Sequence, residues 1–294
     1  DRRLTNGHLN ITYAIERKKT VEETKQLQKY LQLNYETSCD PFSPSQLLSI
    51  RDDSNPLNIT LGNPALKNSR HHTFNISGNI SLPSTSYVGF HANVELIKNA
   101  VSMGYAYDEQ RGAYTYRPEN VDGNRRAYFN LYYSTPLGKK LYDLSGSTRW
   151  NLNHSVDIIN SQLSAVTNHS LEQHLELGAR YADRLTLQLS GNVAWQYATS
   201  KRENYHTRNT WDLSYGPELN FKIYADLRLN TTFTVYQRRG YDDRSMNETE
   251  MVWNAGLEWN FDFRRSSYAR TTADADEASK SSSGPRPWTI SVKA

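Results

Sequence analysis

The chain has 294 residues, 37% of them hydrophobic and 12% aromatic, with 20 Tyr and 6 Trp supplying most of the rings. Its 34 basic and 31 acidic residues leave a formal charge of +3, too balanced for a nucleic-acid-binding field. No run reaches the roughly 20 consecutive apolar residues that a spanning helix requires, and a single cysteine, Cys39, excludes an internal disulfide or a cysteine-rich zinc site and reads as an incidental loop thiol.

In chain order, the dominant feature is alternation with a period of two. It starts at Leu9, Ile11, Tyr13, Ile15 and continues through Leu31–Leu33–Tyr35, Phe74–Ile76–Ile80–Leu82 and Val88–Phe90–Ala92–Val94. Further copies run through Phe129–Leu131–Tyr133, Leu144–Thr148–Trp150–Leu152 and Leu175–Leu177–Ala179–Tyr181. From Leu185 the odd positions read Leu, Leu, Leu, Gly, Val, Trp, Tyr, while the even ones read Thr, Gln, Ser, Asn, Ala, Gln. The same contrast recurs from Trp211 to Ile223, from Leu227 to Val235, from Met251 to Phe263, and briefly from Trp288 to Val292. Successive strand side chains point to opposite faces, so each segment presents one greasy face and one polar face.

About twelve such strands are expected, most of them long enough for the 9 to 11 residues of a tilted membrane-spanning strand. A low mean hydropathy fits this reading, because a membrane barrel needs apolar side chains on its outer face only. Short links (Leu82 to Ser86, Thr135 to Lys140, Ala182 to Arg184, Ala225 to Asp226) alternate with long polar ones. The long ones are Ser38 to Arg70, Ala106 to Arg125, Asn153 to Ser170, Ser200 to Arg208 and Gly240 to Glu248. Tight periplasmic turns and long extracellular loops give this asymmetry. Residues 264–287, rich in Ser, Ala and charge, fall on the periplasmic side and read as a flexible insert, and Val21 to Tyr30 on that side reads as a connection or a short amphipathic helix. A soluble β-sandwich also alternates, but its strands are shorter and its outer faces richer in Lys and Glu. Rings near strand ends, Trp195, Tyr197, Trp211 and Trp253, suit interfacial girdles.

Segments with a family resemblance occur in order along the chain: Asp53 to Lys67 (DSNPLNITLGNPALK), Pro118 to Asn124 (PENVDGN), Ser134 to Leu137 (STPL) and Met251 to Ala255 (MVWNA). Together they resemble the outer-membrane β-barrel family related to TonB-dependent receptors, in its C-terminal barrel portion. The resemblance implies an all-β, antiparallel transmembrane β-barrel of about twenty-two strands in the bacterial outer membrane, of which residues 1–294 are a segment. It also implies a plug domain, absent from this sequence, and a TonB-type energiser, with a surface lipoprotein as a further partner besides outer-membrane lipid. The expected function is import of a nutrient ligand; the alternative is a structural or adhesive barrel that binds a partner through its extracellular loops.

The chemistry-bearing residues are sparse. His71–His72 are adjacent and face opposite ways on a strand, and His91, His154, His169 and His174 lack a ligand-type partner at useful spacing, so they read as loop or lumen residues and no metal or cofactor is expected. The apolar parity places no His beside a Ser, so an enzyme is not expected. Glu95, Arg149, Glu176, Arg180, Glu218, Lys222, Arg228 and Glu258 are expected to face the lumen and to pair with one another. Tyr105, Tyr107, Tyr114 and Tyr116, in the loop after the fourth strand, are the expected ligand-contacting residues, against the alternative that they extend the strands above the membrane.

Overall fold

The structure, a computed structural model, describes residues 6–17, 27–48, 50–82, 85–138, 141–182, 184–202, 205–224, 227–261 and 288–293. The first half of the chain holds β1 (Gly7–Arg17), β2 (Leu27–Asp40), α1 (Pro44–Leu47), β3 (Arg51–Asp52), β4 (Asn58–Leu61), β5 (Ser69–Ser81), β6 (Tyr87–Lys98), β7 (Ala100–Asp108), β8 (Ala113–Val121) and β9 (Asn124–Leu137). The second half holds β10 (Tyr142–Ile159), β11 (Gln162–Tyr181), β12 (Leu185–Ser200), β13 (Arg208–Tyr224), β14 (Leu227–Arg239), β15 (Thr249–Phe261) and β16 (Trp288–Lys293). Twelve of these strands form one wall in the order β1-β2-β5-β6-β9-β10-β11-β12-β13-β14-β15-β16, antiparallel throughout. Among the described residues β1 and β16 are the two edges and do not pair with each other, so the wall is an open sheet.

The register carries the alternation from strand to strand. Ile11 stands opposite Leu33, and the same face continues through Ile76, Ala92, Phe129, Trp150, Leu171, Trp195 and Trp211. One residue over, the other face reads Asn10, Asn34, Asn75, Asn93, Tyr128, Asn151, Ser170, Gln196, Thr210. The wall is a single layer. Leu9, Ile11 and Leu189 on the greasy face are 55%, 54% and 52% exposed, with no second sheet packed over them. A sandwich would bury these residues against each other, so that reading fails and the apolar face is left to hydrocarbon. The stretch from Trp195 to Leu185 spans about 33 Å along the strand at ~3.3 Å per residue, or about 25 Å of membrane at the usual barrel tilt.

The connections depart from the alternation-based expectation in two places. Asn153 to Ser170 is not a loop: β10 runs on to Ile159 and β11 begins at Gln162, joined by the two-residue turn Asn160–Ser161 with φ of 48° and 62°. Two successive left-handed residues make the tight hairpin turn whose twist matches paired strands, so a polar stretch that reads as loop is a ladder standing above the membrane. Ala106 to Arg125 is likewise mostly strand, because β7 and β8 pair from Ala100↔Val121 to Asp108↔Ala113. The other long links, 41–68, 201–207 and 240–248, leave the same side as expected. Leu27 to Tyr30 are strand residues of β2, whereas residues 18–26 and the expected insert at 264–287 lie outside the described residues. Cys39 is not in a loop: it is buried near the end of β2, its backbone N–H donating to Asn6 Oδ1 at 3.2 Å. No helix among the described residues is long and apolar enough to cross a membrane.

Leu189 stands opposite Leu177 near the middle of the band. Leu189→Arg is expected to destabilise the protein by about 2 to 4 kcal/mol in lipid vesicles and Ser190→Arg by far less, as read by urea unfolding of the refolded barrel; equal losses would contradict the face assignment.

Candidate functional site

The one packed core among the described residues lies above the wall, on the side of the long connections. Ile97, Ala100, Val121 and Val156 form a buried cluster with Ile158 and Ala165 against it. The β7–β8 hairpin is built onto the tip of β10, where Tyr105 pairs with Ile159 in parallel, and β8 takes β4 in parallel along its other edge, with β3 beyond it. This four-stranded cap is thus an extension of the wall over the mouth.

Two of the segments singled out by resemblance, 53–67 and 118–124, meet face to face here. The Asn120 side chain imitates a strand neighbour for Lys67: its Oδ1 accepts from the Lys67 N–H at 2.7 Å and its Nδ2 donates to the Lys67 carbonyl at 2.9 Å. The same amide also donates to Asn99 O at 2.8 Å. Buried Asn63 donates to Pro118 O at 2.9 Å and accepts from the Ala65 N–H at 3.0 Å. Leu66 and Pro118 are fully buried beside these contacts. Glycine is required at two positions: a Cβ on Gly62 would sit 1.7 Å from Leu48 O, and Gly123 has φ of +104°. The segments therefore act as a lock for the extracellular loops.

The four expected tyrosines are brought together. Tyr105 is the register partner of Tyr116 and Tyr107 of Tyr114, so all four rings share one face of the hairpin. Tyr107 and Tyr114 lie 4.8 Å apart by centroid, and Tyr105 and Tyr116 lie within 6.2 Å of Tyr114. Tyr107 and Tyr114 are 44% and 39% exposed, so part of each side chain is open to solvent. Tyr105 also borders a recess of about 560 Å³ lined by Asn160, Ser164, Lys201 and Arg202. Arg202 closes one side, donating to Asp157 Oδ2 at 3.0 Å and to Ser164 Oγ at 2.6 Å. No local pattern singles out this arginine, because it lies in the link 201–207 and its partners Asp157 and Ser164 lie in a stretch that reads as loop.

Inside, the wall offers amides, hydroxyls and matched charges. Glu95 takes both His71 at 2.7 Å and Arg126 at 3.3 Å, Arg149 pairs with Glu172 at 3.1 Å, and Arg180 with Asp143 at 3.5 Å. Glu176 lies 3.7 Å from His174, while Lys222, Arg228 and Glu258 stand opposite one another in register. Glu218 instead accepts from the Asn220 side chain at 2.9 Å. A groove of about 450 Å³ crosses β10 to β14, where Asn192 links His174, at 2.7 Å, to Ser214, at 3.2 Å. At its rim the Tyr241 hydroxyl donates to both Asp212 oxygens, at 2.9 and 2.8 Å. His71 and His72 do diverge, the first to Glu95 and the second to Tyr35 on the outer face.

His169 departs from the expected loop or lumen position. It lies on the outer face, 6.0 Å from Trp150 and 6.4 Å from Trp195 by centroid, and Tyr197 and Trp211 continue the group. These rings form the interfacial girdle on the mouth side. Trp253 is not in it; it stands opposite Phe233 in mid-strand, with Nε1 donating to Thr231 Oγ1 at 2.8 Å.

A one-layer wall with a greasy outside, a polar inside and an aromatic girdle is the architecture of a transmembrane barrel. The chain matches an outer membrane protein beta-barrel family over residues 20–194. It belongs to that family. The protein is accordingly an outer-membrane barrel protein of bacteria, and the matched span includes three of the four resemblance segments as well as the whole cap. Comparison with curated proteins and with solved structures finds no match.

Two outcomes follow for the mouth. Asn120→Ala removes three hydrogen bonds from one side chain, at a cost of about 1 to 3 kcal/mol, and should speed protease cleavage within 41–68 while leaving heat-modifiable gel migration of the barrel intact. The hydrogen bond to Asp212, with a smaller contribution from burial, raises the Tyr241 phenol above its ordinary range. The contact therefore contributes at all pH values below that range and is lost as pH climbs through the raised value. Tyr241→Phe should loosen 240–248 to proteolysis at neutral pH by about 1 kcal/mol, and this difference from the unaltered protein should vanish in strong alkali.

Proposed function

We propose that this chain supplies the barrel wall of a TonB-dependent receptor-like importer that takes up a nutrient ligand too large for simple porins. The observation that carries the reading is the pairing of an ordered, tyrosine-bearing cap at the mouth with a lumen wall rich in amides and hydroxyls. Exposed rings stack on sugars or peptides at small entropic cost. A lumen in which Glu95, Glu172 and Asp143 each meet a neighbouring cation, among many amides and hydroxyls, offers hydrogen bonds without a strong field, which suits a neutral or zwitterionic solute. The open edges at β1 and β16 are completed, on this reading, by further strands that close around a plug, because unsatisfied backbone groups in hydrocarbon cost several kcal/mol each. A surface lipoprotein that hands ligand to the cap completes the assembly, and the wall itself carries out no catalysis.

The test is uptake in the native host. Radiolabelled oligosaccharide and peptide mixtures of defined size are offered to cells with and without the gene, with and without collapse of the inner-membrane proton gradient. Gene-dependent uptake that stops on collapse supports the proposal. Uptake that survives collapse makes the barrel a passive pore. If loss of the gene abolishes surface attachment to a partner and changes no uptake, the adhesive reading replaces it. Within the uptake assay, Tyr107→Ala with Tyr114→Ala should raise the half-saturating ligand concentration roughly tenfold, as expected for the loss of one or two ring-stacking contacts.

A further inference from the structure

The luminal groove across β10 to β14 is built from two rows of side chains on one face. The first row reads Ser147, His174, Asn192, Ser214 and Tyr236 in register, and the second Arg149, Glu172, Ala194, Asp212 and Arg238. Rows two residues apart on a strand are about 7 Å from each other, and five strands span about 19 Å, so the groove is long and narrow. In the second row Ala194 stands between Glu172 and Asp212, and its short side chain opens the floor. The volume of about 450 Å³ lies in the range of small-molecule sites.

The second row sets guanidiniums against carboxylates: Arg149 donates to Glu172 at 3.1 Å, and Asp212 stands opposite Arg238 in register. No single sign prevails, so the groove has no field with which to hold a charged solute. What it offers is hydrogen bonding in both directions. The Arg149–Glu172 bond uses one carboxylate oxygen and one N–H of the guanidinium fork, and the rest of both groups keeps its capacity. Asn192 is held between His174, at 2.7 Å, and Ser214, at 3.2 Å, which fixes its amide in the middle of the first row. Tyr236 is 45% exposed, and among the described residues its ring has no ring partner and its hydroxyl no hydrogen bond. A large amphipathic ring left bare on a wet wall gains from a solute that covers it.

We propose that this groove is a luminal binding site for a neutral oligosaccharide, with Tyr236 as the platform for a sugar ring and Arg149, Glu172, Asp212 and Asn192 taking its hydroxyls. A sugar hydroxyl both donates and accepts, and carboxylates beside guanidiniums serve both roles at once. The C–H face of a sugar ring is apolar and its rim is polar, which is the division that Tyr236 and its neighbours present. A peptide suits the groove less. Extended peptides are bound by adding a strand to a sheet edge, whereas the groove crosses β11, β12 and β13, each already paired on both sides. The inference rests on the transport reading and narrows it: the passenger is a saccharide that meets the wall after the tyrosine cap.

The test uses the full natural protein, fluorescently labelled in micelles of a sugar-free polyoxyethylene detergent. It is applied to an array of neutral oligosaccharides, covering the common hexose and pentose linkages, beside neutral peptides of similar size. Retention on at least one oligosaccharide and on none of the peptides is expected. The best-retained oligosaccharide is then titrated in solution by calorimetry, with heat-modifiable gel migration as the check that each variant folds. Tyr236→Ala and Ala194→Phe, the second of which fills the floor, should each weaken binding at least roughly tenfold. Leu187→Phe, on the outer face of the same strand as Ala194, should leave it unchanged. If Ala194→Phe does not fold, Tyr236→Ala at an exposed position decides alone. Retention on peptides only, retention on nothing, or undiminished affinity in Tyr236→Ala would overturn the inference. Binding is read here without transport, so those outcomes leave gradient-coupled uptake untouched, whereas uptake that survives gradient collapse would strike the importer and leave the site standing.

Discussion

A sheet one layer thick has no interior, and most of this molecule follows from that. Every backbone N–H and C=O must be met by the strand alongside, since neither lipid nor a packed core can meet it. Each side chain must suit one of two solvents. Hence the strands are long, reaching 18 residues in β10 and 20 in β11, and their pairing is antiparallel and in register over whole strands. A slip by one residue would put the asparagine ladder into hydrocarbon and the leucines into water. Pro217 obeys the rule as well: pairing between β13 and β14 skips Gly216 and Pro217, the place where a missing N–H costs nothing in the ladder.

Above the membrane the constraint is lifted and a different one applies. The cap meets water rather than lipid, so its strands are held by burial against one another and the tip of the wall and by local hydrogen bonds. Buried Leu66, Pro118 and Ile59 and the amides of Asn63 and Asn120 do there what the lipid boundary does for the wall. The only packed core among the described residues thus belongs to the part that meets the outside, and it holds four tyrosine rings on a stiff hairpin rather than on a mobile loop.

This division explains how far the sequence was legible. Wherever a strand crosses the membrane, parity alone reveals it, and all twelve wall strands were readable from alternating residues such as Leu185 to Tyr197. The extension of β10 and β11 beyond the membrane was not, because Asn153 to Ser170 carries polar residues on both parities and resembles a loop when lipid no longer sorts the faces. The cap strands failed to register for the same reason. The tyrosines could be singled out by composition, but their convergence depends on the register Tyr105↔Tyr116, which no local pattern states. His169 was misplaced because its parity was not carried down from Leu171, two residues on; that signal was present in the sequence.

Parity also sorts charge, and it does so with a bias that composition conceals. In the lumen, water and close cross-strand spacing let acids and bases sit opposite one another, as Arg149 and Glu172 do. On the outer face a carboxylate near the headgroups would be repelled by lipid phosphate, whereas a guanidinium or ammonium is attracted. A nearly neutral chain therefore carries its balanced charges inside, where Arg126 meets Glu95 and Arg149 meets Glu172. The solvent each face meets, rather than the net charge of the chain, decides which sign can appear there.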